Sequence, residues 1–255
     1  MLSVTILGSG TSHGVPMIGC HCTVCESADP RDKRTRPSIV IGMDGHNVLI
    51  DTSPELRLQM VAARIDTVEA VLYTHGHADH VHGIDDLRRF NEQLRYPVPV
   101  YGAPELLEEL RQRFGYIFTH QYFGGGIPSL DLRPIDGPFE LFGRRVVPVA
   151  VWHGRTPVLG YRIGGFAYVT DTSEIPDQSR ALLAGLDVLV LDALRHEAHP
   201  THFNFEQALA MVETLRPRRA YFTHLTHGAP HSELLEFFPD GVEPAYDGMR
   251  LEIAE

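Results

Sequence analysis

The 255-residue sequence predicts an α/β fold in which two mixed β-sheets pack face to face and helices cover their outer faces. Three observations lead to this fold. Apolar runs of strand length alternate with helical patterns along the whole chain. Both halves begin strand-rich and end in strand–helix alternation, which hints at a duplicated architecture, although no repeat is visible in the sequence. Four apolar runs each hand over to a histidine or aspartate: 70–74 to His75, 146–152 to His153, 166–170 to Asp171 and 220–223 to His224. In a packed pair of sheets those four loops converge on one rim.

Taken in order, residues 3–8 read as a strand, followed by a long irregular loop that begins Gly8-Ser9-Gly10-Thr11. No helix follows the glycines, so a nucleotide-binding fingerprint is rejected. Residues 38–43 and 47–51 are strands joined by a hairpin across Asp44-Gly45-His46. Residues 54–64 are helical, with Thr52 or Ser53 as cap and Leu56, Met60 and Ala63 on one face. Residues 70–73 form a buried strand. Residues 85–94 are helical, 97–101 a strand, and 104–114 a helix with proline in its first turn and leucines at 106, 107 and 110. The segment 116–130, aromatic and glycine-rich, has no period and reads as a mobile loop near the site or a subunit contact. Strands follow at 130–134, 139–142, 145–152, 158–163, 166–170, 187–192, 219–223 and 249–253. Helices are expected at 180–184, 204–215 and 232–238, the second capped by Asn204.

An apolar content of 43% suffices for a sizeable core, and one domain over residues 1–255 is expected. The formal net charge of −11 argues against a surface built for long nucleic acids. No apolar run approaches membrane-spanning length. The N-terminus reads as a strand and not a signal peptide, so a cytoplasmic protein is expected. The three cysteines, Cys20, Cys22 and Cys25, lie within six residues, which suits metal binding better than a disulfide framework.

Thr74-His75-Gly76-His77-Ala78-Asp79-His80 places three histidines and an aspartate after a buried strand. Turns favour Gly, Asn, Asp and Pro, not histidine at alternate positions. Imidazole and carboxylate are ligands for zinc, manganese or iron, so the stretch reads as a metal site. Three thiolates in Cys20-His21-Cys22-Thr23-Val24-Cys25 need a fourth ligand to close a tetrahedral zinc site. His227 is that ligand here, with His21 the runner-up. It lies three residues past His224, so one loop could serve both places.

His-x-His-x-Asp-His after a strand resembles the signature of the metallo-β-lactamase superfamily. The resemblance implies an αββα sandwich. It further implies one metal on His75, His77 and His153, a second on Asp79, His80 and His224, and Asp171 bridging both. Two divalent cations of this kind, zinc or manganese, share a hydroxide and clamp the oxygens of a displacement. Two cations, two aspartates and that hydroxide leave one net positive charge, which complements a phosphodiester monoanion. Together with the cysteine loop, a structural zinc site, Asp171 and Thr223-His224-Leu225-Thr226-His227, the chain resembles the cyclic ribosyl phosphate phosphodiesterases of the carbon–phosphorus lyase pathway. That resemblance makes His202 and Asp79 the catalytic candidates, His202 assisting the leaving group, with His199 in reserve. Arg155 and Arg195 are weaker candidates for contacts to substrate oxygens. It also implies a homodimer with the segment 116–130 near the contact.

The expected activity is therefore metal-dependent hydrolysis of a small, cyclic ribose- or nucleotide-like phosphodiester. One alternative is a tRNA 3′-processing endonuclease, which the acidic balance and the lack of a basic insertion oppose. Another is an accessory or carrier protein of pyrroloquinoline quinone biosynthesis, whose members share the cysteine loop.

Overall fold

The computed structural model describes residues 2–119 and 126–253. One sheet contains β1 (Leu2–Gly8), β2 (Ser38–Met43), β3 (His46–Ile50), β4 (Ala70–Leu72), β5 (Val98–Gly102) and β6 (Leu130–Pro134). The other contains β7 (Phe139–Leu141), β8 (Arg144–His153), β9 (Thr156–Ile163), β10 (Phe166–Val169), β11 (Val188–Asp192), β12 (Arg219–Thr223) and β13 (Val242–Pro244). The last strand, β14 (Arg250–Ile253), returns to the first sheet beside β1. The orders are β14-β1-β2-β3-β4-β5-β6 and β13-β12-β11-β10-β9-β8-β7. Helices α1 (Leu56–Ala63), α2 (Ala78–Val81), α3 (Arg88–Leu94), α4 (Pro104–Arg113) and α5 (Gly115–Phe118) belong to the first half. Helices α6 (Asp177–Leu182), α7 (Phe205–Leu215) and α8 (His231–Phe237) belong to the second.

The two sheets repeat one pattern. From β14 to β6 the pairings are antiparallel three times and then parallel three times. From β7 to β13 the order is the same. β3 and β10 thus hold equivalent places, where pairing changes direction. Each is followed by Asp-Thr-Ser, at 51–53 and 171–173, and both aspartates take left-handed backbone (φ 63° and 49°). The duplication therefore does have a short echo in the sequence.

Parallel strands are covered on both faces and so read as unbroken apolar runs. β4 and β11 show this, with every residue buried. Between the sheets, Ile39, Ile41, Ile50 and Leu72 meet Val146, Tyr161, Phe166, Tyr168 and Val190. On the outer faces, Leu56, Met60, Leu106, Leu107 and Leu110 belong to one helix–sheet core, and Phe205, Ala208 and Leu215 to the other. The Asp44-Gly45 turn has positive φ at both residues (50° and 87°), the type I′ geometry that suits a two-residue hairpin. Asn204 caps α7 as expected, in a reciprocal capping box with Gln207.

Several boundaries differ from expectation. α1 begins at Leu56 with no side-chain cap, because the Ser53 hydroxyl donates to Gln59 Oε1 instead (2.7 Å). The helix expected over 85–94 is a 3₁₀ turn, Ile84–Leu87, followed by α3. The three-residue β13 and the short α2 were not anticipated, being too brief for a periodic signal. The expected loop at 116–130 opens in α5 and closes at the start of β6; residues 120–125 lie outside the described residues. Among the described residues no helix is long and apolar enough to cross a membrane.

Asp247, just before β14, fastens this end of the sandwich. It accepts hydrogen bonds from the Ser9 amide and hydroxyl (2.9 and 2.8 Å) and from the Thr35 amide and hydroxyl (2.7 and 2.6 Å). Removing the carboxylate strands four donors, and an unsatisfied buried group costs about 1–3 kcal/mol. Asp247→Ala should therefore lower unfolding free energy by about 3 kcal/mol in a urea titration. An unchanged midpoint would show that the carboxylate does not hold these segments together.

Candidate metal centre

Four strand ends deliver the ligand candidates to one rim. His75, His77, Asp79 and His80 follow β4, and α2 carries the last two. His153 is the final residue of β8. Asp171 follows β10, and His224 follows β12 in left-handed backbone (φ 63°). A non-glycine residue pays about 1 kcal/mol or more for that conformation, and such strain clusters at functional sites.

The side chains converge in three groups. Ligand atoms of His75, His77, His153 and Asp171 all lie within 4.8 Å of one another, as do those of Asp79, His80 and His224, and those of Asp171, His202 and His224, which join the first two. Asp171 stands between them. Its Oδ1 is 3.2 Å from His80 Nε2, and its Oδ2 is 3.8 Å from His75 Nε2 and 3.5 Å from His224 Nε2. Asp79 Oδ2 is 3.5 Å from His80 Nε2 and 3.7 Å from His224 Nε2. Yet the Nε2 atoms of His75, His80 and His224 are buried without any hydrogen-bond partner. Buried polar atoms in folded proteins are nearly always paired. Lone pairs that converge on one another without bonding suit a shared cation, and the donor set fits two divalent ions.

The electrostatics agree. Burial holds the His75 imidazole well below its usual range, aided by neighbouring His80, so it stands as a neutral donor. Burial opposes charge on His80 and His224 too, but Asp171 and the other carboxylates outweigh it. His80 is held well above the usual histidine range and His224 is pushed up to about 9.

A second layer orients the ligands. Asp51, absent from the sequence-based candidates, contacts His80 Nδ1 through Oδ2 (2.7 Å) and accepts from the Thr74 amide and hydroxyl (both 2.8 Å). His153 Nδ1 donates to the Thr201 carbonyl (2.7 Å). Asp192, at the end of β11 and also missed, accepts from the Thr172 amide (2.8 Å) and contacts His202 Nδ1 (2.9 Å). A signal for Asp51 existed in the repeated Asp-Thr-Ser. Asp192 offered only an aspartate at a strand end.

His202 sits against the cluster. Its ring lies 4.5 Å from that of His153 and 4.6 Å from that of His224, and its Nε2 is 4.0 Å from Asp171 Oδ2. His199 is one step farther out, 5.2 Å from the His202 ring, with Nδ1 engaged by Thr201. Arg195 lies 3.6 Å from Glu197, and Arg155 is exposed.

The cysteines form a separate group. Cys20, Cys22, Cys25 and His227 also bring their ligand atoms within 4.8 Å of one another. His227 Nδ1 is 3.3 Å from Cys22 Sγ and 3.5 Å from Cys20 Sγ. His21 turns away to Glu26 (3.0 Å) at an exposed position. Contact with His227 lowers the Cys22 thiol to about 6, while burial raises Cys25 to about 11. The donor set fits a tetrahedral zinc.

Because outer-layer partners typically control 10–100-fold in metal affinity, Asp51→Asn should weaken metal binding at the cluster by about that factor in chelator competition. An affinity equal to that of the native chain would remove Asp51 from the site.

Residues 46–225 match the β-lactamase superfamily domain. The chain is 41% identical over 257 residues to an octanoyltransferase of Porphyromonas gingivalis, a match covering 98% of this chain and 51% of that protein. It thus spans about half the length of that relative. It is 29% identical over 224 residues to coenzyme PQQ synthesis protein B of Methylobacterium nodulans, covering 75% and 72% of the two chains. Among solved structures, a diphosphatase from the PhnP family is 43% identical with a TM-score of 0.93, covering 100% of this chain and 98% of that one. Zn²⁺-bound PqqB from Methylobacterium extorquens (23% identical, TM-score 0.80, covering 98% and 100%) shares the fold. So does the short form of human tRNase Z (18%, 0.71, covering 99% and 100%). The chain belongs to the β-lactamase superfamily of metallo-hydrolase-fold proteins and, within it, to the PhnP family.

Proposed function

We propose that this chain, as one hydrolase domain, is a metal-dependent phosphodiesterase for a small cyclic ribose- or nucleotide-like phosphodiester. The observation that carries the reading is the buried cluster of unpaired imidazole nitrogens around Asp171 with His202 beside it. His75, His77 and His153 would hold one zinc or manganese ion, Asp79, His80 and His224 a second, and Asp171 both. Cys20, Cys22, Cys25 and His227 would hold a structural zinc. When bound, the two active-site cations supply positive charge for phosphoryl oxygens and an ionised water at neutral pH.

The chain's own groups do the rest. The carboxylates of Asp79 and Asp171 would offset only part of the charge of two divalent cations, so the pocket would stay net positive toward a phosphodiester anion. Asp192 fixes the His202 ring through Nδ1, leaving Nε2 toward the cluster. From there it can hand a proton to the departing alkoxide. Asp51 and the Thr201 carbonyl hold His80 and His153 in their ligand orientations. The likeness to a PhnP-family diphosphatase over the whole chain supports phosphate-bond hydrolysis.

A second reading comes from the octanoyltransferase relative, twice this chain's length. That relative's name makes an acyl ester or thioester the competing substrate class.

His202→Ala should reduce turnover of bis(p-nitrophenyl) phosphate about 100- to 10,000-fold at unchanged metal content. Metal lost together with activity would make His202 structural. Hydrolysis of an octanoyl thioester with no phosphodiester turnover by the native chain would overturn the phosphodiesterase reading in favour of the acyl one.

A further inference from the structure

Arg34 is completely buried. Its guanidinium reaches the loop that follows β12. One nitrogen donates to the Thr226 carbonyl, and the other to the Ala229 carbonyl (3.1 Å) and to Asp32 Oδ1 (3.3 Å). The two carbonyls lie on either side of His227. Asp32, itself buried, also accepts the His231 amide (2.6 Å), so the same ion pair holds the start of α8. The backbone of Arg34 pairs with Val15 in both directions (2.7 and 2.8 Å), on the loop that carries the cysteines. Gly10 passes so close that a Cβ there would meet the Arg34 carbonyl oxygen at 2.5 Å. Arg34 therefore touches both segments that build the cysteine site, the cysteine loop through its backbone and the histidine loop through its side chain.

A buried arginine is costly unless its donors are used. Here the two terminal nitrogens span two carbonyls and a carboxylate, a reach that a planar guanidinium has and a single ammonium cannot match in full, while Nε has no hydrogen-bond partner. The loop it grips carries His224 and His227, three residues apart. The His224 end is fastened separately, by Leu225 donating to the Ser9 carbonyl (2.9 Å) and Thr226 donating to the Leu194 carbonyl (3.1 Å). Among the described residues, the His227 end has no comparable backbone ladder. Gly228 donates to the Thr226 hydroxyl (3.2 Å) within the turn.

We propose that Arg34 is the positioning residue that presents His227 to Cys20, Cys22 and Cys25, so that the fourth ligand of the cysteine site is set in place before any ion arrives. This rests on the assignment of those four residues as a metal site. Outer-layer contacts of this kind are worth about 10–100-fold in metal affinity.

Cobalt(II) titration of the full chain tests the proposal, because thiolate-to-cobalt absorption reports the cysteines and the intensity of the d–d bands reports tetrahedral closure by the histidine. Arg34→Met should keep the thiolate band, lose d–d intensity, and bind cobalt at the cysteine site at least about tenfold more weakly, with far-UV circular dichroism unchanged. Arg34→Lys should fall between the two. If the methionine variant does not fold, the lysine variant carries the test, and reduced d–d intensity is again the expected result. Native-like cobalt spectra and affinity in the folded variant would overturn the positioning role. Absence of any thiolate–cobalt band in the native chain would instead sink the metal assignment of the four residues.

Discussion

The rim of this sandwich is governed by carboxylates buried among imidazoles. Asp79 and Asp171 are buried among imidazoles whose Nε2 atoms have no hydrogen-bond partners. Isolated carboxylates in such surroundings are expensive, and proteins answer with protons, paired cations or metal ions. Asp171 and the neighbouring carboxylates hold the imidazoles of His80 and His224 above the usual histidine range. The convergence of imidazoles and carboxylates on Asp171 and its neighbours suits metal ions. Much of the local architecture serves that convergence: the left-handed turns at Asp171 and His224, the short α2, and the Asp51 carboxylate behind His80.

The duplicated sheet order accounts for how these groups reach one edge. Each half turns from antiparallel to parallel pairing at one strand, and Asp-Thr-Ser lies in the turn after each such strand. In the first half that aspartate, Asp51, stands behind the cluster. In the second, Asp171 stands at its centre. The same fold position thus supplies a supporting carboxylate once and a ligand candidate once. The loop after β12 is shared in another way, offering His224 to the cluster and His227 to the cysteines.

Much of this was legible in the sequence, for physical reasons. Histidines at alternate positions after a buried strand suit a metal site far better than a turn, and four strands ending in His or Asp required a common rim. The structure brings together every one of those residues, and it brings His227 rather than His21 to the cysteines. What escaped was either short or chemically ordinary. β13 and α2 are too brief to show a period. Asp192 looked like a single polar residue at a strand end, separated from a turn only by three-dimensional contact with His202, and Asp51 carried no more than the short Asp-Thr-Ser echo until its contact with His80 is seen. Arg34 was invisible for a similar reason, since its partners are backbone carbonyls 192 and 195 positions away.

The central claim is that the cluster is a two-metal site. Anomalous diffraction from crystals of the zinc-loaded protein, recorded on both sides of the zinc edge, addresses it most directly. Two peaks should flank Asp171, one among His75, His77 and His153 and the other among Asp79, His80 and His224, at the ~3.5–4 Å spacing of two-metal centres. A third peak is expected among Cys20, Cys22, Cys25 and His227. A cluster without anomalous density in zinc-saturated crystals, or with a single ion that leaves one of the two groups unbound, would contradict the two-metal site.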